Sequence, residues 1–313
     1  MTSADPLAPR LKSLKGRLER NWPLARSTTY RLGGPADLYV ELADEDDVIT
    51  LAGALDEDVP VLAVGRGSNL VVSDRGFPGV AVRLGSGFSW TRPRGESSLE
   101  AGGATPLPTV ANWAARRGLA GMEFTVAIPG SVGGAVRMNA GAHAGEMSDR
   151  LEGVTVFDLR LGLVTHRAAA ELDLAYRHSN LTDTDLVLAA GLTLVPDESA
   201  AIRSRMEAYR RHRAETQPGA LQNAGSVFKN PPGDHAGRLV EAAGLKGFRV
   251  GGARVSELHA NFFMADGGCT SQDVYDLVHA VRGRVEATFG VVLEPEIRFI
   301  GVFEDRVVEG AQR

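Results

Sequence analysis

Two glycine-rich segments carry residue types that suit an anionic ligand. GRGSNL (Gly65 to Leu70) follows an apolar run, and IPGSVGGAV (Ile128 to Val136) comes later in the chain. Glycine lets backbone N–H groups approach an anion closely, and successive N–H groups form anion-binding nests. Ser68, Asn69 and Ser131 add neutral donors. Either segment alone is more typical of a structural turn, but the pair together favours a diphosphate or dinucleotide ligand gripped from two sides.

A third segment, NAGSVFKNP (Asn223 to Pro231), combines a hydroxyl, a cation and an amide within a few residues. A hydroxyl in such a setting could donate a proton or bind an oxyanion. The residues concerned are Ser226, Lys229 and Asn230. A strand bounded by turn residues is the alternative interpretation of the same string.

Charged residues in two further segments could hold a carboxylate or phosphate. Arg177, in AYRHS, could pair bidentately with either anion, or form an ordinary surface ion pair. In LEPEIRFIG (Leu293 to Gly301), alternation along a strand would place Glu296 and Arg298 on one face. That face is either a catalytic carboxylate beside a guanidinium or the solvated side of an edge strand.

Several classes of protein lack their motifs here. Leu70 replaces the third glycine of the dinucleotide fingerprint, and no P-loop, H-E-x-x-H or G-x-S-x-G string occurs. The single Cys269 excludes a disulfide framework and cysteine-rich metal sites, so we expect no metal. A net charge of −5, with 43% hydrophobic and 23% charged residues, argues against a disordered chain and a nucleic-acid partner. Since no signal-like or membrane-length apolar run occurs, we expect a cytoplasmic protein without a membrane partner.

Short strands and a few helices must position these residues. The length of 313 residues predicts two or three domains, and Gln217-Pro218-Gly219 is a credible boundary. The first 20 or so residues are interpreted as a mixed-charge lead-in. Apolar runs predict strands at Leu38 to Leu42, Val61 to Val64, Leu70 to Val72, Val80 to Leu84, Val154 to Phe157, Leu163 to His166, Leu186 to Val195 and Ile297 to Phe303.

Helices are predicted from periodicity and capping residues. Two are given by their ranges, Glu45 to Leu55 and Ser199 to Thr216. A third is capped by Thr105, begins at Pro106 and ends at Gly118, and a fourth is capped by Ser271 and ends at Gly290. The arginines of Ser199 to Thr216 are interpreted as a solvated face. Strands and helices without regular alternation predict an α+β fold.

Eight strings in order, which include the segments described above, resemble those of one known family. The chain resembles the UDP-N-acetylenolpyruvoylglucosamine reductases (UDP-N-acetylmuramate dehydrogenases), flavoenzymes of peptidoglycan precursor synthesis. The strings are NWPLARSTTYRLGGPAD, GRGSNLVVSDRGFPGV, IPGSVGGAVRMNAGA, YRHS, AGSVFKNP, AGLKG, VSELHANFF and LEPEIRFIG, between Asn21 and Gly301.

The resemblance implies a two-subdomain FAD-binding module of the vanillyl-alcohol-oxidase type and a smaller α+β substrate domain. The implied boundaries are residues 1–85 and 86–216 for the two FAD-binding subdomains and 217–293 for the substrate domain, with residues 294–313 returning to the second subdomain. FAD would be held non-covalently by the two glycine loops. The implied FAD contacts are Gly65, Arg66, Gly67, Ser68, Asn69, Pro129, Gly130, Ser131, Gly133 and Gly134.

The chemistry that the resemblance implies runs in two hydride transfers, from NADPH to the flavin and then to the enolpyruvyl ether of the UDP-sugar. By motif match, Ser226 would protonate the former enol carbon. Arg177 and Glu296 would stabilise the charge on the substrate's carboxylate, with Glu296 kept neutral or bridged by water. Lys229, Asn230 and Arg298 would then bind the UDP-sugar. We expect a monomer or a weak homo-oligomer.

The chain resembles the branch of the family without an inserted tyrosine loop. In that branch a tyrosine often follows MNAGA, and His143 stands at this position here. Two alternatives stay open from the sequence: an FAD-dependent alcohol or sugar oxidase of the same fold, and a non-catalytic UDP-sugar binding module. Oxidases of this fold often tether FAD through His or Cys, and the glycine loops offer no such tether.

Overall fold

The computed structural model describes residues 7–219 and 221–306 of the chain. Within these ranges the α-helices are α1 Glu45–Ala54, α2 Leu107–Arg116, α3 Val132–Arg137, α4 Ser199–Thr216, α5 Ala236–Ala242 and α6 Ser271–Phe289. The strands are β1 Arg17–Pro23, β2 Pro35–Leu42, β3 Val61–Ala63, β4 Leu70–Val72, β5 Phe77–Leu84, β6 Thr91–Pro93, β7 Ser98–Gly102, β8 Leu119–Ala120, β9 Gly141–Ala142, β10 Gly145–Glu146, β11 Leu151–Asp158, β12 Leu163–Ala168, β13 Asp185–Thr193, β14 Val195–Pro196, β15 Arg249–Val250, β16 Ala253–Val255, β17 Phe263–Ala265 and β18 Arg298–Ile300.

These elements form two compact units, each made of separate stretches of chain. The first unit contains Met1–Asn21, Asp37–Arg66 and Pro78–Arg213, and the second contains Trp22–Ala36, Gly67–Phe77 and Ala214–Arg313. The three predicted domain ranges stay a prediction, since this division by packing follows other boundaries. No helix among the described residues has both the length and the apolar character needed to cross a bilayer.

Two sheets build the first unit. One has the strand order β1-β2-β5-β3, with β3 and β5 parallel, and the other is an antiparallel sheet in the order β12-β11-β13-β7-β6. Phe157 and Leu186 of the second sheet share a buried core with Leu38, Val48 and residues around them. Because apolar side chains of both sheets fill this one core, the two predicted FAD subdomains pack as one unit.

The second unit has small sheets around a long helix. Strands β15, β16 and β17 form an antiparallel sheet, and β18 pairs in parallel with β4. The predicted apolar stripe of α6 is confirmed: the side chains of Val274, Leu277, Val278, Val281 and Val285 are fully buried. Burial of each contributes about 1.5–3 kcal/mol, so this face attaches the helix to the unit's core. As predicted, α6 ends at Gly290, whose left-handed φ of 68° suits glycine.

Helix α2 differs from its prediction by one position. Pro106 precedes the helix, and Leu107 begins it. The hydroxyl of the expected cap, Thr105, donates instead to the carbonyl oxygen of Trp90 at 2.8 Å. The Thr105 hydroxyl therefore stabilises a buried loop and does not cap the helix.

The predicted N-cap of α6, Ser271, lies one residue after the observed N-cap. Thr270 is the cap, and its hydroxyl accepts from the N–H of Asp273 at 3.1 Å. The Asp273 carboxylate accepts from the Thr270 N–H at 2.9 Å, which completes a capping box.

The first and last described parts of the chain differ from the predicted elements, and α5 and β15 to β17 were not predicted at all. The expected lead-in contains strand β1, and Leu7 and Leu11 lie fully buried in the first unit's core. The final predicted strand, Ile297 to Phe303, shortens to Arg298–Ile300. Glu294 and Glu296 therefore precede this strand, and the expected common strand face of Glu296 and Arg298 was wrong.

Candidate functional site

A cavity of about 380 Å³ lies within the first unit. The ends of β3 and β5, the loop after β7, the start of α3 and the start of β13 line it. This volume falls in the range of about 300–1,000 Å³ that is typical of small-molecule sites. The fold thus brings the two glycine segments to one concave surface through Gly65 and Ser131.

Glycines let the backbone close around this cavity. A Cβ on Gly65 would lie 2.8 Å from Oγ of Ser131, and a Cβ on Gly103 would lie 1.8 Å from the carbonyl oxygen of Val187. The N–H of Gly133 donates to the carbonyl oxygen of Gly103 at 2.9 Å. A side chain at Gly103 would force two backbone segments apart, and one at Gly65 would displace the Ser131 hydroxyl, so the cavity wall depends on glycine at both positions.

The charged groups in the cavity lining favour an anion. Three guanidinium groups and two carboxylates belong to the lining: Arg66, Arg83 and Arg137, and Glu41 and Asp185. The buried Asp185 carboxylate already accepts from Arg167 at 2.9 Å and from Thr182 at 2.8 Å. Its charge is therefore compensated outside the cavity, as is that of Arg137, which lies 3.3 Å from a carboxylate oxygen of Asp183. Arg66 and Arg83 against Glu41 leave an excess of positive charge in the lining.

These residues fit the diphosphate of FAD, because glycine backbone, a hydroxyl and guanidinium groups are the donors that phosphate oxygens accept from. Of the predicted FAD contacts, Gly65, Arg66, Ser131, Gly133 and Gly134 line the cavity, and the other five do not. All ten contacts stay predictions.

The sequence interpretation missed part of the lining. Arg83 lies near the end of strand β5, Gly85 and Ser86 follow that strand, and Arg137 ends helix α3. A signal was present, since LGSGFS, which begins at the last residue of β5, is a third segment of small residues, and Arg137 lies inside the quoted IPGSVGGAVRMNAGA string.

Ser226 lies in the second unit on an extended segment that makes isolated β-bridges. Ser226 bridges to Phe262 and Phe228 bridges to Pro295. Gly225 precedes the serine with a left-handed φ of 77°, a conformation that favours glycine. The serine is half-buried. Backbone pairing on both sides thus fixes this residue in a rigid setting.

Glu296 is tied to the same segment and to the first glycine loop. Its N–H donates to the carbonyl oxygen of Val227 at 2.7 Å, and its own carbonyl oxygen accepts from Nδ2 of Asn69 at 3.0 Å. The N–H of Arg298 donates to the carbonyl oxygen of Asn69 at 2.9 Å. The structure therefore brings Ser226 and Glu296 onto paired backbone segments, and Asn69 holds the second of them in place.

The predicted substrate-binding residues have partners within the chain. Nζ of Lys229 lies 2.7 Å from a carboxylate oxygen of Glu294, and Oδ1 of Asn230 accepts from the N–H of Ala236 at the start of α5. Arg298 lies on β18, opposite Leu70. Their roles toward a substrate stay predictions.

Arg177 lies in the first unit, in a turn whose ends, Ala175 and His178, donate backbone hydrogen bonds to each other. It is half-buried and has a left-handed φ of 55°. Its Nη2 donates to the carbonyl oxygen of Gly141 at 2.9 Å. Nδ2 of the buried Asn139 donates to the carbonyl oxygen of Ala175 at 3.0 Å. The turn and the guanidinium are thus each fixed by a separate hydrogen bond.

Asn261 is a structural residue of the second unit that sequence reasoning missed. Its side chain accepts from the N–H of Phe228 at 2.9 Å and donates to the carbonyl oxygen of Phe228 at 2.8 Å. Its backbone carbonyl accepts from the N–H of Val227 at 2.8 Å. This buried amide substitutes for a neighbouring strand, and it holds the segment that carries Ser226. Its only sequence signal was its place in VSELHANFF.

Comparison with known proteins gives two family matches. Residues 36–166 match the FAD binding domain, and residues 217–300 match the C-terminal domain of UDP-N-acetylenolpyruvoylglucosamine reductase.

Relatives match over nearly the whole chain. UDP-N-acetylenolpyruvoylglucosamine reductase 2 of Symbiobacterium thermophilum is 46% identical over 304 residues, which is 95% of this chain and 97% of that protein. The reductase of Heliobacterium modesticaldum is 45% identical, over 93% of each chain. The crystal structure of the reductase from Thermus caldophilus superposes with a TM-score of 0.79 at 37% identity, covering 91% of this chain and 100% of that one.

Proposed function

The chain belongs to the UDP-N-acetylenolpyruvoylglucosamine reductase family, and from that membership we propose that it reduces the enolpyruvyl ether of UDP-N-acetylenolpyruvoylglucosamine to UDP-N-acetylmuramate. NADPH is the reductant and FAD the non-covalent cofactor. The observation that carries this proposal is a match to named reductases across 95% of the chain. Family membership also favours the reductase over the oxidase and the non-catalytic module that the sequence left open.

Backbone and side chains of the cavity would hold the flavin. Gly65, Gly133 and Gly134 let the backbone approach the diphosphate, while Arg66 and Ser131 supply donors. When bound, FAD supplies the centre that accepts hydride from NADPH and passes it to the substrate. The residues of the chain orient the reactants and move the proton.

Ser226 would donate the proton that completes the reduction. Hydride addition to the methylene carbon leaves negative charge on the adjacent carbon, and this carbon must be protonated. The rigid backbone pairing around Ser226 supports this assignment, since a proton donor must be held within hydrogen-bond reach of its target. A hydroxyl is a weak acid in water, so the proposal requires that neighbouring groups assist it.

Arg177 and Glu296 would stabilise the carboxylate over which that charge spreads. The planar guanidinium of Arg177 can bind a carboxylate bidentately. Glu296 would act as the neutral acid or through water, since a bare carboxylate would repel the enolate. Lys229, Asn230 and Arg298 would bind the rest of the UDP-sugar.

Turnover tests the proposed reaction. Incubation of the flavin-loaded protein with NADPH and UDP-N-acetylenolpyruvoylglucosamine is expected to consume one NADPH for each product molecule gaining two hydrogens, as followed by absorbance and mass spectrometry. Oxidation of NADPH without a reduced sugar product would contradict the proposal.

We also propose a cytoplasmic, monomeric or weakly associating enzyme that acts on a UDP-sugar. The support for the cytoplasmic location is chemical: the proposed reaction uses a nucleotide sugar and NADPH, both of which are cytoplasmic metabolites. Cell fractionation and sedimentation velocity test these two points, and a stable oligomer at micromolar concentration would contradict the second.

A further inference from the structure

A short hairpin beside Arg177 has a turn that its own sequence does not favour. Strands β9 and β10 pair with Ala142 opposite Gly145, so His143 and Ala144 form a two-residue turn. Their φ angles are 52° and 61°, both left-handed. Turns of this kind favour Asn-Gly, because a Cβ is disfavoured in this region. Contacts outside the hairpin must therefore hold this conformation.

An aromatic stack on α4 provides such a contact. The His143 ring lies parallel to the Tyr209 ring, with 4.1 Å between centroids and 4° between planes. Stacking of this geometry is favourable beyond the burial of area alone. Burial, with help from the charges of His212 and Arg213, lowers the pKa of His143, so the ring facing Tyr209 is a neutral imidazole near neutral pH.

Helix α4 is a firm support for this stack. Ile202 and Met206 bury it in the first unit's core, against which Tyr209 also packs. Arg205 forms an ion pair with the buried Glu123 at 2.6 Å. On the hairpin's other strand, a Cβ on Gly145 would lie 3.0 Å from the Phe124 ring. The hairpin is thus held between the helix and the core.

The hairpin in turn holds the guanidinium of Arg177. The carbonyl oxygen of Gly141, at the base of the hairpin, accepts from Nη2 of Arg177 at 2.9 Å. A Cβ on Gly141 would lie 3.3 Å from Nη1 of the same residue, so the two groups are in close contact. The position of this carbonyl follows the hairpin, and the hairpin's turn depends on His143.

We propose that His143, stacked on Tyr209, is a positioning residue that orients the guanidinium of Arg177 for the substrate carboxylate. The inference rests on the proposed function, because it assumes that Arg177 contacts the substrate. It adds a claim that the proposed function does not contain: His143 acts through Arg177 and makes no contact of its own with the UDP-sugar.

The test compares His143→Ala, His143→Phe and Arg177→Ala in the flavin-loaded enzyme. We expect His143→Ala to slow reoxidation of the reduced flavin by saturating substrate by roughly ten- to a hundredfold, since misplacing a catalytic group by about 1 Å can cost that much. Flavin content and flavin reduction by NADPH are expected to stay normal. His143→Phe keeps the ring and is expected to restore the rate. His166→Ala, on β12, is the control for loss of an imidazole.

A double-mutant cycle shows whether His143 acts through Arg177. In the Arg177→Ala background, His143→Ala is expected to change the rate by no more than about twofold. Calorimetry with UDP-N-acetylmuramate gives a second readout: His143→Ala is expected to weaken binding only when Arg177 is present.

Three results would overturn the inference. These are a normal rate in His143→Ala, a rise in KM alone, or equal losses from His143→Ala with and without Arg177. A wild-type enzyme without turnover would instead contradict the proposed function. Normal turnover and a slow Arg177→Ala variant, together with a normal His143→Ala variant, would contradict the positioning role alone.

Discussion

The two units hold their functional groups in different ways. In the first, the cavity wall is backbone packed against backbone, as at Gly103 and Val187. In the second, side chains fix two paired segments: Asn261 holds the segment of Ser226, and Asn69 holds that of Glu296. A site built from backbone tolerates most side-chain changes but not an added Cβ, whereas a site held by side chains is sensitive to single truncations. Arg177 is the exception in the first unit, because there a single side chain is proposed to do chemistry.

The largest effect is expected for Ser226→Ala. Loss of a positioned general acid is expected to slow reduction of the UDP-sugar by about 10²–10⁴. Reduction of the flavin by NADPH should hardly change, because that step takes no proton from Ser226. Stopped-flow absorbance separates the two steps. If both slowed alike, Ser226 would not be the proton donor.

Arg177→Lys tests the exception in the first unit. A compact ammonium cannot reproduce a bidentate fork, so we expect a loss of about 10² in the substrate step despite the retained charge. Full activity in this variant would make Arg177 a structural residue. Arg160→Lys is the matched control, since the guanidinium of Arg160 donates to the backbone carbonyls of Asp56 and Val59.

Gly103→Ala tests the backbone wall of the cavity. The added methyl would lie 1.8 Å from the Val187 carbonyl oxygen, so the wall must shift and flavin affinity is expected to fall at least about tenfold. Gly53→Ala, in α1, is the control, because a Cβ there meets nothing within 4 Å. That change is expected to stabilise the protein by about 0.5–1 kcal/mol with unchanged flavin binding. Fluorescence titration with FAD of the flavin-free protein measures both affinities.

Asn261→Ala tests the side-chain support in the second unit. It would leave the buried N–H and carbonyl of Phe228 without partners, which is expected to cost about 2–4 kcal/mol. Urea unfolding measures the loss. The exposed Asn180→Ala is expected to cost less than about 0.5 kcal/mol. Equal costs for the two variants would contradict the assigned role of Asn261.

The smallest effect is expected for His259, which is hydrogen-bonded to Asn261. Burial lowers the pKa of His259, and its Nδ1 accepts from the N–H of Asn261 at 3.2 Å. The unfolded chain therefore takes up a proton before the folded protein does, so stability falls as the pH drops below about 6.5. His259→Gln is expected to reduce this dependence in thermal unfolding. If His259→Gln left the pH dependence of thermal unfolding unchanged, His259 would not be its source.

Local patterns in the sequence predicted four of the six α-helices and eight of the eighteen strands in the described part of the chain. The stripe of α6 and the bounds of β4 and α4 were confirmed, because periodicity and capping act within one segment. The role of the chain start was missed, since burial of Leu7 and Leu11 depends on partners far along the chain.

In the candidate site, too, local sequence predicted some residues, and others depend on contacts between distant segments. Glycine segments identified Gly65 and Ser131 of the cavity lining, because the chemistry of a backbone anion site is local. Asn261 and the stack of His143 on Tyr209 could not be predicted, since each depends on a contact between distant segments. The expected strand face of Glu296 and Arg298 failed because pairing with Val227 and Asn69 displaced the start of the strand.

A single-turnover experiment tests the central claim most directly. The purified protein is reduced with one equivalent of NADPH without oxygen and then mixed with UDP-N-acetylenolpyruvoylglucosamine. We predict that the yellow absorbance is bleached by NADPH and returns on addition of the sugar, with one equivalent of UDP-N-acetylmuramate formed. A flavin that stays reduced until oxygen is admitted would contradict the account and favour an oxidase.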